Sequence, residues 1–376
     1  MKKRLIGVLL ALLLIASLAV GCAKQETATE PSTQPAAESS TEAAADAAES
    51  TEAAMPVKVA VVANQRFGDN GPMDNMKAGV ESMVAKHGIE AKYLESSAET
   101  FEEDVRAMAK AGYNLIITTF PYMSEATVTV AKEYPDTMFC AIYQFINLGD
   151  NSVANIWDTE YHGEGAFYIA GWLAGKATQS NVIGFHQGGE EPSPNAEGNA
   201  FMRGALAANP DVTVEFACIN SYEDTATTYE YTIAMIDKGA DIIQGDSGGS
   251  NAGMVDAAKE RGGVLVGNEI TDFYDTYPEF NGIIGIGFGA NAIQAIEAYL
   301  AGNYPGGEHG IMDLANNGYF MDWASYERFA DSSSVFAAAY KANLDEAKAM
   351  AEKIISGEMV IDFDTEYPNF DRVKNG

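Results

Sequence analysis

Six short, almost wholly apolar runs, in two sets of three with matched spacing, constrain this chain more than any other feature. The first set is VKVAVVA (57–63), NLIITTF (114–120) and TMFCAIY (137–143). The second is NVIGFHQ (181–187), DIIQGD (241–246) and GVLVGNE (263–269). Each run is bounded by turn-forming residues and is apolar without alternation, as a strand buried on both faces requires. Val57 to Leu115 is 58 residues and Val182 to Ile242 is 60; Leu115 to Met138 is 23 and Ile242 to Val264 is 22. Helical patterns separate the runs, at 75–88 and 125–135 in the first half and near 201–210 and 251–262 in the second. Strands alternating with helices predict parallel α/β sheets, and the repeated rhythm predicts two similar lobes.

In parallel α/β sheets, ligands sit at the carboxyl ends of the strands. Two such lobes face each other across a cleft, so the residues just after each strand are the site candidates: 64–70, 120–123, 143–145, 186–189, 245–249 and 268–272. Aromatic candidates are Phe67, Phe120, Tyr122, Tyr143, Trp157, Phe185 and Phe288. A buried ring stacked on a planar ligand contributes roughly 1 kcal/mol or more. Asp69, Asp246, Glu269 and Asp272 can pair with hydroxyls, ring N–H groups or a cation, while Asn70, Gln187 and Asn268 both donate and accept. The stretch WDTEYHGEG (157–165) reads as a hinge with Trp157 and Asp158 over the cleft. Each of these residues also has a plain structural reading, as core packing for a ring or as a helix cap for an acid.

The segment QGDSGGSNAG (244–253) carries the letters found around the nucleophile of trypsin-like proteases, and Gly245-Asp246-Ser247-Gly248-Gly249 also fits a Gly-x-Ser-x-Gly elbow. Here it follows a buried parallel strand and precedes a helix, whereas the protease serine lies in an antiparallel barrel. The four histidines, His87, His162, His186 and His309, lack the protease context, and no oxyanion-hole motif accompanies Ser247. The preferred reading gives Gly248 and Gly249 the role of bringing backbone close to a ligand at a helix N-terminus. An α/β hydrolase using Ser247 is the least favoured alternative. No enzyme activity, cofactor or metal is predicted: no Cys/His cluster has zinc spacing, and His162 and His186 have no pair spacing.

The N-terminus predicts export. Lys2, Lys3 and Arg4 precede an apolar run from Ile6 to Val20 that is short for a membrane span, followed by LAVGC, in which Cys22 is the candidate lipidation site. Residues 23–55 carry seven acids, one lysine and no aromatic or large aliphatic residue apart from the closing Met55, so they predict a disordered, self-repelling tether. A formal charge of −31 argues against nucleic acid and against docking on anionic lipid headgroups. Of the other two cysteines, Cys140 falls in the first lobe and Cys218 in the second, which argues against a bond between them.

Several stretches together resemble the basic membrane protein family, the lipoprotein substrate-binding components of ABC transporters that include the purine nucleoside receptors. GEGAFYIAGWLAG (163–175), GADIIQGDSGGSNAGMVDAAKERG (239–262) and AKEYPDTMFCAI (131–142) carry the resemblance, which spans roughly 56–300. It implies a two-lobed type I periplasmic-binding fold with crossing hinge strands. The implied lobes are 56–158 with 273–305, and 159–272 with 306–376, after a leader at 1–22 and the tether at 23–55. It also implies a nucleoside or other planar-ring solute as ligand, an ABC permease and ATPase as partners, a monomer, and a lipid anchor on the extracytoplasmic face of the cell membrane. The pocket letters differ from the nucleoside receptors: of the loop after the first strand only Asp69 is kept. Tyr143 stands where those receptors carry Asp, Glu269 where they carry the ribose-binding Asp, and Phe288 near a pocket Lys. A sensory receptor handing the same solute signal to a membrane protein is the other alternative.

Overall fold

The computed structural model describes residues 56–68, 71–150, 152–268, 277 and 279–376, and all of these belong to one compact unit. The leader, Cys22 and the tether lie outside the described residues.

The chain begins β1 (Lys58–Ala63), α1 (Pro72–His87), β2 (Glu90–Glu95), α2 (Phe101–Lys110), β3 (Leu115–Thr119), α3 (Ser124–Glu133), β4 (Met138–Ile142) and β5 (Ile156–Tyr161). The same alternation follows in α4 (Glu164–Ala177), β6 (Val182–Gln187), α5 (Pro192–Ala208), β7 (Thr213–Cys218), α6 (Thr225–Asp237), β8 (Ile242–Asp246), α7 (Asn251–Arg261), β9 (Leu265–Asn268) and β10 (Phe280–Ile286). The chain closes with α8 (Phe288–Leu300), β11 (His309–Met312), β12 (Tyr319–Met321), α9 (Trp323–Ala330), α10 (Ala337–Ile355) and α11 (Phe370–Asn375). Two six-stranded sheets result, ordered β11-β5-β4-β3-β1-β2 and β12-β10-β9-β8-β6-β7. All pairings are parallel except β10 with β12.

Burial explains which runs were legible. Val59 to Ala63 and all of β3 are buried, because helices cover both faces of each sheet. The edge strands β2 and β7, with Glu90, Lys92 and Glu95 on one and Thr213 and Glu215 on the other, are half-exposed and polar and so left no apolar run. The two-lobed α/β architecture matches the expectation, but two strands change sheets. The sequence division put 273–305 in the first lobe and 306–376 in the second; β10 instead pairs with β9, and β11 with β5. The reason is hydrogen bonding at the sheet edges: each sheet takes its sixth strand, β11 or β12, from chain that has already crossed between lobes. Crossings occur from β5 to α4, from β10 to α8 and from β11 to β12, with α8 packed on α1 and α4 on α5.

Small residues let those helices approach. A Cβ on Gly171 of α4 would lie 2.0 Å from the Phe201 carbonyl oxygen, and one on Gly204 of α5 would lie 2.0 Å from that of Tyr168. Chain beyond α10 then straps α5: Asn195 donates to the Thr365 carbonyl (3.0 Å), and Asn199 donates to those of Asp364 (2.9 Å) and Glu366 (2.8 Å). Arg203 and Arg372 both clasp the Asp364 carboxylate, at 2.6 and 2.8 Å. Cys140, in the first sheet, and Cys218, in the second, are free thiols.

Candidate functional site

The site is built where the carboxyl ends of the two sheets meet. In the first lobe, Phe120 follows β3 and Tyr143 follows β4, β5 ends at Tyr161, and α8 opens with Phe288. Their rings form one cluster: Phe120 lies 5.3 Å from Phe288 and 5.8 Å from Tyr143, and Tyr161 lies 4.9 Å from Phe288 and 5.6 Å from Tyr143. These separations suit tilted and edge-on aromatic pairs. The chain bends sharply to present the first two rings. Phe120 has φ 64° and ψ 155°, and Tyr143 has φ 54°, regions that a residue with a side chain adopts at a cost of about 1–3 kcal/mol. Behind the cluster Asn291 accepts from Thr159 (2.7 Å) and from the Tyr161 hydroxyl (3.3 Å), fixing β5 against α8.

The second lobe contributes β6, β8 and the start of α5. Gln187 and Asp246, both buried, end adjacent strands and are paired in register, so their side chains share a face. The loop after Gln187 runs through Gly188 and Gly189 to Glu191, and Pro192 then opens α5 as its first residue. Ser193 donates to the Tyr161 carbonyl across the lobes and also contacts Glu197 (3.3 Å), which accepts from the Tyr319 hydroxyl at 2.6 Å. Tyr143 reaches these groups. Burial pushes its hydroxyl well above the ordinary tyrosine pKa, the carboxylates of Glu197, Glu191 and Asp246 push it further, and Ser193 pulls it partly back. Burial also raises the Glu191 carboxyl, against a weak contact from the Tyr222 hydroxyl (3.5 Å).

The sequence candidates divide. Phe120, Tyr143, Phe288, Gln187 and Asp246 come together at this junction. Phe185 does not: it is fully buried against Phe201 (5.1 Å) and Phe167 (5.8 Å) in the second core. Trp157 packs edge-on to Tyr304 at 6.5 Å and is nearly buried. Asp158 is not over the cleft but buried in the first lobe, because three donors fill its carboxylate: the Ile146 N–H (2.9 Å), the Asn147 N–H (3.0 Å) and His309 (2.6 Å). Phe67 sits at the β2 edge, 5.6 Å from Tyr93, with Lys77 over both rings. Tyr122 is 72% exposed on the turn after Phe120. Asn268 accepts from Asn251 at 2.9 Å. Asp69, Asn70, Glu269 and Asp272 lie outside the described residues.

The glycines after β8 serve a neighbour that sequence reasoning missed. Tyr222 lies 3.4 Å from where a Cβ on Gly248 would be, its carbonyl 3.3 Å from one on Gly249, and its ring 2.3 Å from one on Gly188. Ser247 donates to Asn251 at 2.6 Å, a contact at the start of a helix rather than with an imidazole. His186 turns instead to Thr232 (2.8 Å), and burial depresses its pKa to about 3. Tyr161, Glu191, Ser193 and Glu197 were also missed. Their one sequence signal is Pro192 just after a strand end, which marks a helix start beside the site.

Two parallel α/β lobes with facing strand ends, joined by chain crossings, define the periplasmic-binding fold. Residues 56–364 match the family described as ABC transporter substrate-binding protein PnrA-like, and the chain belongs to that family. A purine-binding protein of Brucella abortus is 35% identical over 160 residues, which are 41% of this chain and 43% of that protein. Basic membrane protein A2 of Borrelia garinii is 25% identical over 57% of this chain and 63% of its own length. The ABC transporter nucleoside-binding protein BmpA of Lactococcus lactis is 24% identical over 69% of each chain. In fold, a solute-binding protein of an Aeropyrum pernix ABC transporter system superposes with a TM-score of 0.67 at 17% identity, covering 84% of this chain and 96% of that one. No helix among the described residues is long and apolar enough to cross a membrane.

Proposed function

We propose that this protein is a lipid-anchored, extracytoplasmic receptor that captures a small ring-containing solute between its lobes and delivers it to an ABC permease. The observation that carries the reading is the junction itself: the half-buried Phe120 and Tyr143 lie over the buried rings of Tyr161 and Phe288, and the carboxylates of the opposite lobe act on the Tyr143 hydroxyl. Hinge closure would desolvate a flat solute against those rings and orient it with the strand-end amide and carboxylates. A nucleoside-like ring is the best single candidate, supported by the names of the Brucella and Lactococcus relatives. No chemistry is performed on the solute. The hydroxyl of Ser247, the one hydrolase candidate, is engaged by Asn251. The anchor is Cys22 and the acidic tether holds the lobes off the membrane. The two lobes would rotate about the three crossings, from β5 to α4, from β10 to α8 and from β11 to β12.

Thermal denaturation of the full chain with nucleosides, nucleobases, flavins, thiamine and sugars tests this. A bound solute at a hundred times its Kd adds about 2.7 kcal/mol, or about 5 °C in Tm for a chain of this size. A shift confined to one ring class supports capture. Release of a chemically altered solute, abolished by Ser247→Ala, would sink the receptor reading in favour of an enzyme.

A further inference from the structure

The polar half of the junction is one-sided in its chemistry. The amide of Gln187 is fixed by a chain of bonds that leaves no choice of orientation. The Thr365 carbonyl can only accept, so Asn195 turns its Nδ2 toward it (3.0 Å) and offers Oδ1 to Gln187. Gln187 must then place Nε2 toward Asn195 Oδ1 (2.7 Å) and the Gly189 carbonyl (2.6 Å). Both amide hydrogens are used. Oε1 is buried and has no hydrogen-bond partner among the described residues, although the residue is fully inaccessible. A buried acceptor of this kind carries a desolvation penalty that a ligand donor would remove.

Among the described residues, the charged groups that the strand ends bring to this junction are carboxylates. Glu191 lies on the loop that the Gln187 amide spans, Asp246 is paired with Gln187 in register, and the charged groups acting on Tyr143 are the carboxylates of Glu197, Glu191 and Asp246. Facing them are the half-buried rings of Phe120 and Tyr143, backed by the fully buried Tyr161 and Phe288, and an open ring face attracts cations. The whole chain, at −31, draws cations toward itself and repels anions.

We infer that the solute is a cationic, N–H-bearing ring: Gln187 Oε1 accepts its donor, Glu191 faces its charge, and the rings of Phe120 and Tyr143 cover its plane. This inference rests on the capture reading above and narrows it. Anionic rings such as nucleotides are excluded by the same groups. Because burial raises the Glu191 carboxyl, acidification protonates it and weakens the hold on a cation.

Isothermal titration of the full chain with two charge series tests the assignment. The series are 1-methyladenosine, adenosine and AMP, and 1-methylnicotinamide, nicotinamide and nicotinate; in each, one ring is presented as cation, neutral molecule and anion. The expected result is that, within a series that binds, the cation binds at least tenfold more tightly than the neutral parent and the anion at least tenfold more weakly. The cation-to-neutral ratio falls toward one in Glu191→Gln, and cation affinity falls on acidification. A neutral or anionic ring binding as tightly as its cation overturns the inference while leaving ring capture standing. A ratio unchanged in folded Glu191→Gln overturns the assigned role of that residue. Binding of none of the six, with no shift from any ring of the thermal panel, overturns the ring-capture reading and the inference with it.

Discussion

Phe120 offers the sharpest test of how the site is built, because two effects at one residue oppose each other. Its ring is half-buried and touches Tyr143 and Phe288, at 5.8 and 5.3 Å. Removing a fully buried phenylalanine costs about 3–5 kcal/mol, so a half-buried one should cost about 2–3 kcal/mol, ring contacts included. Its backbone, at φ 64° and ψ 155°, lies where glycine is at ease and any side chain is strained by about 1–3 kcal/mol. Phe120→Ala loses the ring and keeps the strain. Phe120→Gly loses the ring and releases the strain, against about 1 kcal/mol of added freedom in the unfolded chain. The glycine variant should therefore be the more stable by about 1 kcal/mol, the reverse of the usual order. For a chain of this size that is about 2 °C in Tm. Guanidinium and thermal denaturation of both variants, with solute affinity measured in parallel, provide the assay. An alanine variant at least as stable as the glycine one would refute the claim that the strand end is strained to aim the ring.

Gly171→Ala should destabilise by about 1–3 kcal/mol even though alanine is the better helix former, because its Cβ would meet the Phe201 carbonyl oxygen at 2.0 Å and force α4 from α5; thermal denaturation reads this directly. His186 is held neutral by burial, with its pKa near 3, while the unfolded chain takes up a proton below about 6.5. Stability should therefore fall by up to about 1.4 kcal/mol per pH unit from pH 6.5 downward, and the slope should flatten in His186→Gln, read from denaturation midpoints across pH. His162 runs the other way. Burial lowers its pKa, but Glu164 and Glu160 more than reverse this, so its contribution is present at low pH and lost as pH rises through the raised pKa; an imidazole NMR titration should place that pKa above the ordinary value. Asp158→Asn should cost about 2–4 kcal/mol, because one amide oxygen cannot serve two N–H donors and His309 as the carboxylate does; chemical denaturation checks it.

What the sequence disclosed depended on burial. Six of the eight interior strands, β1, β3, β4, β6, β8 and β9, were found within a residue or two because each is buried and reads as an apolar run; β5 (IWDTEY) and β10 (FNGIIGI) are also interior, but polar residues and glycines interrupt them. Phe120, Tyr143 and Phe288 followed from the rule that ligands lie at strand ends. The strand-end rule misassigned Phe185, whose side chain alternates inward, and it said nothing of residues a loop further on, such as Glu191 and Ser193. Asp158 misled for a different reason. An acid inside a strand looks functional until the loop at 146–147 and His309, a partner 151 residues distant, are folded onto it. Sheet membership of β10 and β11 was hidden because it depends on edge pairing between segments far apart in sequence, which local periodicity does not encode.

The interleaving of the two sheets also sets an order of assembly. The first sheet is closed by β11, whose His309 pairs in register with Asp158, and the second by β12 and by the 364–366 strap that holds the start of α5. A ribosome or export channel that has delivered the first 300 residues has delivered neither finished sheet. Such long closures are slow to form, so the chain stays extensible for most of its synthesis. The two lobes then become complete almost together, when the last few dozen residues arrive.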